Sequence, residues 1–191
     1  MKKAVAFGDS LTVGFQSPTM SVPYYQETPY THFLSQMAAG KLEFASRGIN
    51  GELTSDMLNR FDDDVLALYP DYVIILGGTN DIGWGVATSE IFENLSYMYN
   101  RAKSHGITPV AVTVPSLRGY DSFIPPRLAL NEKIISFANV SGFPFADLFA
   151  HSSEPETLRL RAEYSNDGLH LTTAGYKLIA DLLYEKIFAA L

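Results

Sequence analysis

Five short apolar runs recur along the chain, at residues 3–7, 42–45, 72–76, 108–114 and 144–147, and longer stretches of helical period lie between them. Four of the five carry several consecutive apolar residues without clean alternation. That is the pattern of strands covered by helices on both faces. Between them, Leu58, Phe61, Val65 and Leu68 return every three or four residues behind the candidate caps Thr54 and Ser55. Ile91, Leu95, Met98, Tyr99 and Ala102 do the same behind Thr88. Further helices are expected over 31–39, 127–139 and 173–189. In the last of these, Leu178, Ile179, Leu182, Leu183 and Ile187 form the apolar stripe. The alternation predicts βα units around a parallel sheet of about five strands.

At 191 residues the chain is expected to form one domain, 1–191, since domains average roughly 150 residues. With 47% hydrophobic and 18% charged residues, the composition is that of a globular protein and excludes collagen-like and disordered classes. The formal net charge of -7 repels polyphosphate partners, so no nucleic acid is expected. The absence of Cys removes disulfides, Cys zinc sites and thiol nucleophiles.

The apolar run behind Met1, Lys2 and Lys3 is far shorter than the roughly 7 to 15 residues of a signal core, which makes a cytoplasmic location the expectation. No apolar stretch approaches the roughly 18 residues of a membrane span. The run Asp62-Asp63-Asp64 reads as a solvated helix face, because adjacent carboxylates on a helix diverge.

Chemistry belongs in the loops at the carboxyl ends of the strands, where parallel α/β sheets build their sites. Three stretches fit neither period and follow predicted strands: 14–30, 77–87 and 115–126. The first strand ends in Gly8-Asp9-Ser10-Leu11, which puts a hydroxyl at the sheet edge. Asp167-Gly168-Leu169-His170 precedes the last helix. A nucleophilic Ser needs an imidazole to take its proton, and the imidazole needs an acceptor to fix its tautomer. Of the four histidines, only His170 follows a carboxylate at this spacing. His32 lies in a predicted helix, His105 at a helix end and His151 at the start of a polar loop. In Gly77-Gly78-Thr79-Asn80-Asp81 the Asn80 amide can donate to an oxyanion. In Gly48-Ile49-Asn50-Gly51-Glu52, Gly51 can offer an unobstructed backbone N–H.

Together these four segments resemble the blocks of the GDSL family, also called SGNH hydrolases, in the family's order and over nearly the whole chain. The resemblance implies a three-layer α/β/α sandwich of flavodoxin-like type. It implies Ser10 as nucleophile, His170 as general base and Asp167 as its orienting carboxylate. The backbone N–H groups of Ser10 and Gly51 and the Asn80 side chain would form the oxyanion hole. Gly48 lies on the same turn as Gly51. Asp9 and Asp81 match the motifs but read as loop-shaping carboxylates. No cofactor and no metal are implied.

The expected function is hydrolysis of esters through an acyl-enzyme. The family acts on lipid esters, lysophospholipids, acyl thioesters and acetylated sugars. The loops carry Phe15, Pro18, Met20, Val22, Pro23, Tyr24, Tyr25, Pro29, Tyr30, Trp84, Tyr120, Phe123 and Ile124, an apolar and aromatic set that favours acetyl to hexanoyl esters over long chains. Lysophospholipase or thioesterase activity is the alternative within the family. A flavodoxin-like nucleotide or flavin module is the alternative outside it, but the chain lacks G-x-G-x-x-G after the first strand and any Gly-Lys-Ser/Thr. A metal hydrolase would have to use Asp9, Asp81, Asp167 and His170.

Overall fold

All five apolar runs become strands of one parallel sheet. In the computed structural model, which describes residues 1–191, the chain runs through β1 (Lys2–Gly8), α1 (Ser10–Val13), β2 (Phe15–Gln16), β3 (Gln26–Glu27), α2 (Tyr30–Met37), β4 (Leu42–Gly48) and α3 (Thr54–Asp64). It continues through β5 (Tyr72–Leu76), α4 (Thr79–Gly83), α5 (Thr88–Ser104), β6 (Thr108–Val112), α6 (Ile124–Ser141), β7 (Phe145–Ala146), α7 (Leu148–Ser152) and α8 (Thr173–Leu183). The sheet order is β4-β1-β5-β6-β7, every neighbour parallel. The short β2 and β3 pair separately, antiparallel.

Successive strand residues point to opposite faces, and helices cover both. Ala4, Ala6, Ile74, Leu76 and Val110 pack with Tyr30 and Leu34 of α2 and with Tyr176 and Ile179 of α8. Val5, Phe7, Val73, Ile75 and Ala111 pack with Met57 and Phe61 of α3, Leu95 and Met98 of α5, and Leu130 and Ile134 of α6. Two-sided cover explains why the strands read as unbroken apolar runs. Each such large apolar side chain, fully buried, contributes about 1.5 to 3 kcal/mol. Ile75→Ala would cost about 2 to 5 kcal/mol, because the surrounding layers cannot collapse fully onto the void.

The order of the strands sets the site. The chain leaves β1 for β4 on one side and then returns to β5 on the other, so β1 and β5 flank the switch point at which α/β sheets bind ligands. In the register Gly8 lies opposite Gly48 of β4 and opposite Leu76 of β5. Three adjacent strands therefore release their loops at one height.

Several boundaries differ from the sequence reading. α3 starts at Thr54 with Leu53 as its cap; the Leu53 N–H is held by the Asp56 carboxylate at 3.1 Å, and Thr54 is turned to another use. Thr88 is likewise the first helical residue of α5 and makes no capping bond. α6 begins at Ile124 with Pro125 and Pro126 in its first turn, where a missing N–H costs nothing. α8 ends at Leu183 and passes into a π turn over Tyr184–Phe188. Asp62 and Asp64 diverge, to Arg101 and Arg60. No helix is long and apolar enough to cross a membrane.

Candidate active site

Ser10 opens α1 directly after β1. The approach requires glycine: a Cβ on Gly8 would stand 2.1 Å from the Leu76 carbonyl oxygen and 2.5 Å from Thr12 Oγ1. Asp9 caps the helix, its Oδ1 accepting the Leu11 N–H at 2.9 Å. Ser10 is 7% exposed, and as the first helical residue its N–H has no intrahelical acceptor. Asp9 is fully buried and its Oδ2 has no partner. Burial, offset in part by the Leu11 N–H, pushes its carboxyl up to about 7. Asp9 therefore shapes the loop at the sheet edge, as its place in the motif suggested.

His170 and Asp167 face each other on the loop before α8. Nδ1 of His170 lies 2.7 Å from Asp167 Oδ2. The other carboxylate oxygen accepts the backbone N–H groups of Leu169 at 2.8 Å and His170 at 2.7 Å. Ser17, from the first long loop, donates to Oδ2 at 2.5 Å. Burial raises the Asp167 carboxyl, but these bonds together outweigh it and hold the group well below the usual carboxylate range. An ionised Asp167 makes Nδ1 the protonated nitrogen of a neutral ring, and Nε2 is then the acceptor. The ring packs against Phe15 at 4.6 Å between centroids. Gly168 sits at φ +85°, and a Cβ there would lie 2.2 Å from the Arg118 carbonyl oxygen.

Asn80 follows β5 in the short helix α4, reached through Gly78 at φ +111°. Its Nδ2 donates to the Glu52 carbonyl at 2.8 Å, which uses one of the two amide protons and leaves the other. Gly51, next to Glu52, has φ +80° and open space around it, and its N–H finds no acceptor within the protein. Gly48 differs: a Cβ there would lie 2.6 Å from the Val13 nitrogen, so it permits β4 to pack against α1. Asp81 takes the Thr54 N–H on both oxygens and the Thr54 hydroxyl on Oδ1.

The sequence reading missed three supports. Arg60 donates from Nε to Glu52 at 2.8 Å, from Nη1 to Asp64 at 2.8 Å and from Nη2 to the Gly8 carbonyl at 3.2 Å, and it stacks on Phe7 at 4.3 Å. It thus ties the strand before Ser10 to the residue that receives Asn80. Ser17 and Arg127 are the others. Only the Arg60/Asp64 spacing of four was visible as a helix pair. The remaining partners are far apart in sequence.

A cavity of about 360 Å³ opens beside Asn80. Thr79, Trp84, Tyr120, Phe123 and Arg127 line it, and Asp167, Gly168 and Leu169 form one side. Of the aromatic set expected at the mouth, Trp84, Tyr120 and Phe123 lie on the cavity, Tyr30 is buried in the core, and Met20 and Tyr24 point to solvent. His32, His105 and His151 each bond within their own helix or its end. Asp81 is spent on Thr54 and Asp167 on His170, and no three His, Asp or Glu side chains gather where they could hold a metal ion.

The same architecture occurs in solved structures. A GDSL-like lipase from Bacteroides thetaiotaomicron superposes with a TM-score of 0.82 at 24% identity, covering 100% of this chain and 89% of the other. A lipase/acylhydrolase from Enterococcus faecalis gives 0.81 at 24% identity, covering 100% and 97%. An acetyl-xylooligosaccharide esterase, Axe2, from Geobacillus gives 0.82 at 20% identity, covering 98% and 94%. In sequence, the chain is 34% identical over 122 residues to the uncharacterized lipoprotein YqeF of Bacillus subtilis, covering 60% of this chain. The chain spans about half the length of that relative, 49%. The model of the GDSL-like lipase/acylhydrolase family matches residues 6–178, from inside β1 to inside α8. Because that match takes in most of the chain, the chain belongs to the GDSL-like lipase/acylhydrolase family.

Proposed function

We propose that the protein, acting as one domain over 1–191, hydrolyses small acyl or acetyl esters through a Ser10–His170–Asp167 triad. The observation that carries this reading is the pairing of His170 Nδ1 with a fully hydrogen-bonded Asp167 at the sheet edge that also bears Ser10 and Asn80. Ser10 Oγ attacks the ester carbonyl while His170 Nε2 takes its proton. The carbonyl oxygen becomes an oxyanion, received by the N–H groups of Ser10 and Gly51 and by the second Asn80 amide proton. As the tetrahedral intermediate collapses, His170 returns the proton to the departing alcohol. Water then repeats the sequence on the acyl-enzyme and regenerates Ser10.

The cavity supports a small substrate. About 360 Å³ lies at the small end of ligand pockets, room for a short acyl group or one sugar unit. Trp84 and Tyr120, at 80% and 69% exposure, present flat aromatic surface at its mouth. The fold-level likeness to an acetyl-xylooligosaccharide esterase supports the acetyl end of this range. The test is a chain-length series of p-nitrophenyl esters run beside an acetylated sugar panel. Acetyl to hexanoyl esters should be cleaved at least about tenfold more efficiently than palmitoyl, because a sixteen-carbon chain overruns the cavity. A kcat/KM that rises out to palmitoyl would replace this reading with the lysophospholipase or thioesterase one.

A further inference from the structure

Arg127 lies in the first turn of α6, is 2% exposed, and lines the cavity beside Asn80. Of its guanidinium nitrogens only Nε has an acceptor in the protein, the Pro115 carbonyl at 3.1 Å. Nη1 is sealed from solvent with no partner. No carboxylate forms an ion pair with it, although every other arginine of the chain except Arg161 has one. A desolvated guanidinium without a counter-charge is costly and uncommon. Burial pushes its pKa down to about 10 against the pull of the more distant Asp9, so it stays charged at neutral pH.

Thr79, the neighbour of Asn80 in the chain, lines the same cavity, and its Oγ1 is also buried without a partner. The rest of the wall offers little to either group, since Trp84, Leu117, Tyr120, Phe123 and Leu169 are apolar or aromatic. Asp167 reaches the cavity too, but its charge is taken up by His170, Ser17 and two backbone N–H groups. The cavity therefore holds one uncompensated charge, and it is positive.

Resting on the ester-hydrolase reading above, we infer that the cavity selects esters that carry an anionic oxygen group a few atoms from the scissile carbonyl, held by Arg127 and Thr79. An anion supplies the missing partner of the guanidinium, and a charge-assisted bond of this kind is strong because both ends are desolvated. A carboxylate and a phosphonate share this chemistry, as anionic groups whose several oxygens accept hydrogen bonds.

The test compares matched esters with and without the anion. On the acyl side these are the 4-nitrophenyl half-ester of glutarate, its phosphonate counterpart and 4-nitrophenyl pentanoate. On the alcohol side they are 4-acetoxybenzoate and 4-methylphenyl acetate. The wild-type enzyme should prefer an anionic member in at least one series by roughly tenfold or more in kcat/KM, the scale of a charged hydrogen bond. The carboxylate and phosphonate arms tell which anion fits.

Arg127→Gln should erase the preference, read as a ratio so that any general loss cancels, and Arg127→Lys should keep part of it. Neutral esters preferred by the wild type in both series, or a ratio unchanged in Arg127→Gln, would overturn the inference while leaving the hydrolase reading intact. If no ester is cleaved, the hydrolase reading falls and calorimetry decides the pocket on its own. Glutarate binding at least about tenfold tighter than pentanoate supports it, and equal binding overturns it.

Discussion

Asp81 accepts the backbone N–H of Thr54 at 3.0 Å and its hydroxyl at 2.6 Å, stapling the turn after β5 to the start of α3. Asn80, next to Asp81, and Glu52, two residues before Thr54, meet across this gap. Asp81→Ala leaves a buried N–H unpaired and lets the two segments part. A charged hydrogen bond of this kind contributes about 1.5 to 3 kcal/mol. The variant should unfold at lower urea and lose at least about tenfold in kcat with KM little changed, because the displaced Asn80 is proposed to act in the transition state. Unaltered kcat would show that Asn80 holds its place without the staple.

Ser10→Ala and His170→Ala should each abolish most ester hydrolysis while the fold persists, because the proposed nucleophile and base would act as one unit. A fluorophosphonate should label Ser10, read by peptide mass, and the label should be absent from Ser10→Ala. Near wild-type turnover in Ser10→Ala would exclude the serine mechanism.

Asn80→Ala should lower turnover by about a hundredfold to a thousandfold, the usual loss for one oxyanion donor. KM should change little. The opposite split, with turnover kept and KM raised, would make Asn80 a group that positions substrate.

Asp167 is a carboxyl held below its usual range, so its bonds add stability that is full above the unfolded value of about 3.9 and fades as pH falls below it. Asp167→Asn should be less stable than wild type in urea at pH 7, with the gap narrowing at pH 3. Its turnover should fall by at least about tenfold through loss of the charge behind the imidazolium. A gap that is constant with pH would mean that the carboxylate is not what the Asp167 contacts stabilise.

Asp9 carries the opposite sign. Its carboxyl is pushed up to about 7 by burial, so the unfolded chain gives up this proton first, and stability falls as pH rises from about 4 to about 7. The change is on the order of a few kcal/mol. Asp9→Asn, which keeps an oxygen for the Leu11 N–H, should remove that slope. Urea unfolding of both proteins at pH 5 and pH 7.5 measures it, and equal slopes would show that the ionised carboxylate is tolerated.

The strands were legible because burial on both faces leaves no polar alternation to obscure them, as in the run from Val73 to Leu76. Helix starts were less so. Thr54 has the residue type of a cap, but Asp81, twenty-seven residues on, claims both its N–H and its hydroxyl. Pro125 and Pro126 read as a break, yet a first helical turn accommodates them. Ser10, Asp167 and His170 stood out because each motif is contiguous. Arg60 and Arg127 did not, since what distinguishes them is a set of partners, or the lack of one, that only the folded chain creates.

The level register of Gly8, Gly48 and Leu76 divides the labour of the molecule in a way that bears on its redesign. The groups proposed to meet the reacting carbonyl hang from three strand ends locked side by side. Trp84, Tyr120 and Phe123, which line the cavity, come from later turns that the sheet does not fix in register. Grafting those turns from a relative, or randomising them in a library, alters the cavity wall while the strand ends keep their spacing. Diversification of such enzymes can proceed by exchange of the outer turns, with the reacting frame inherited unchanged.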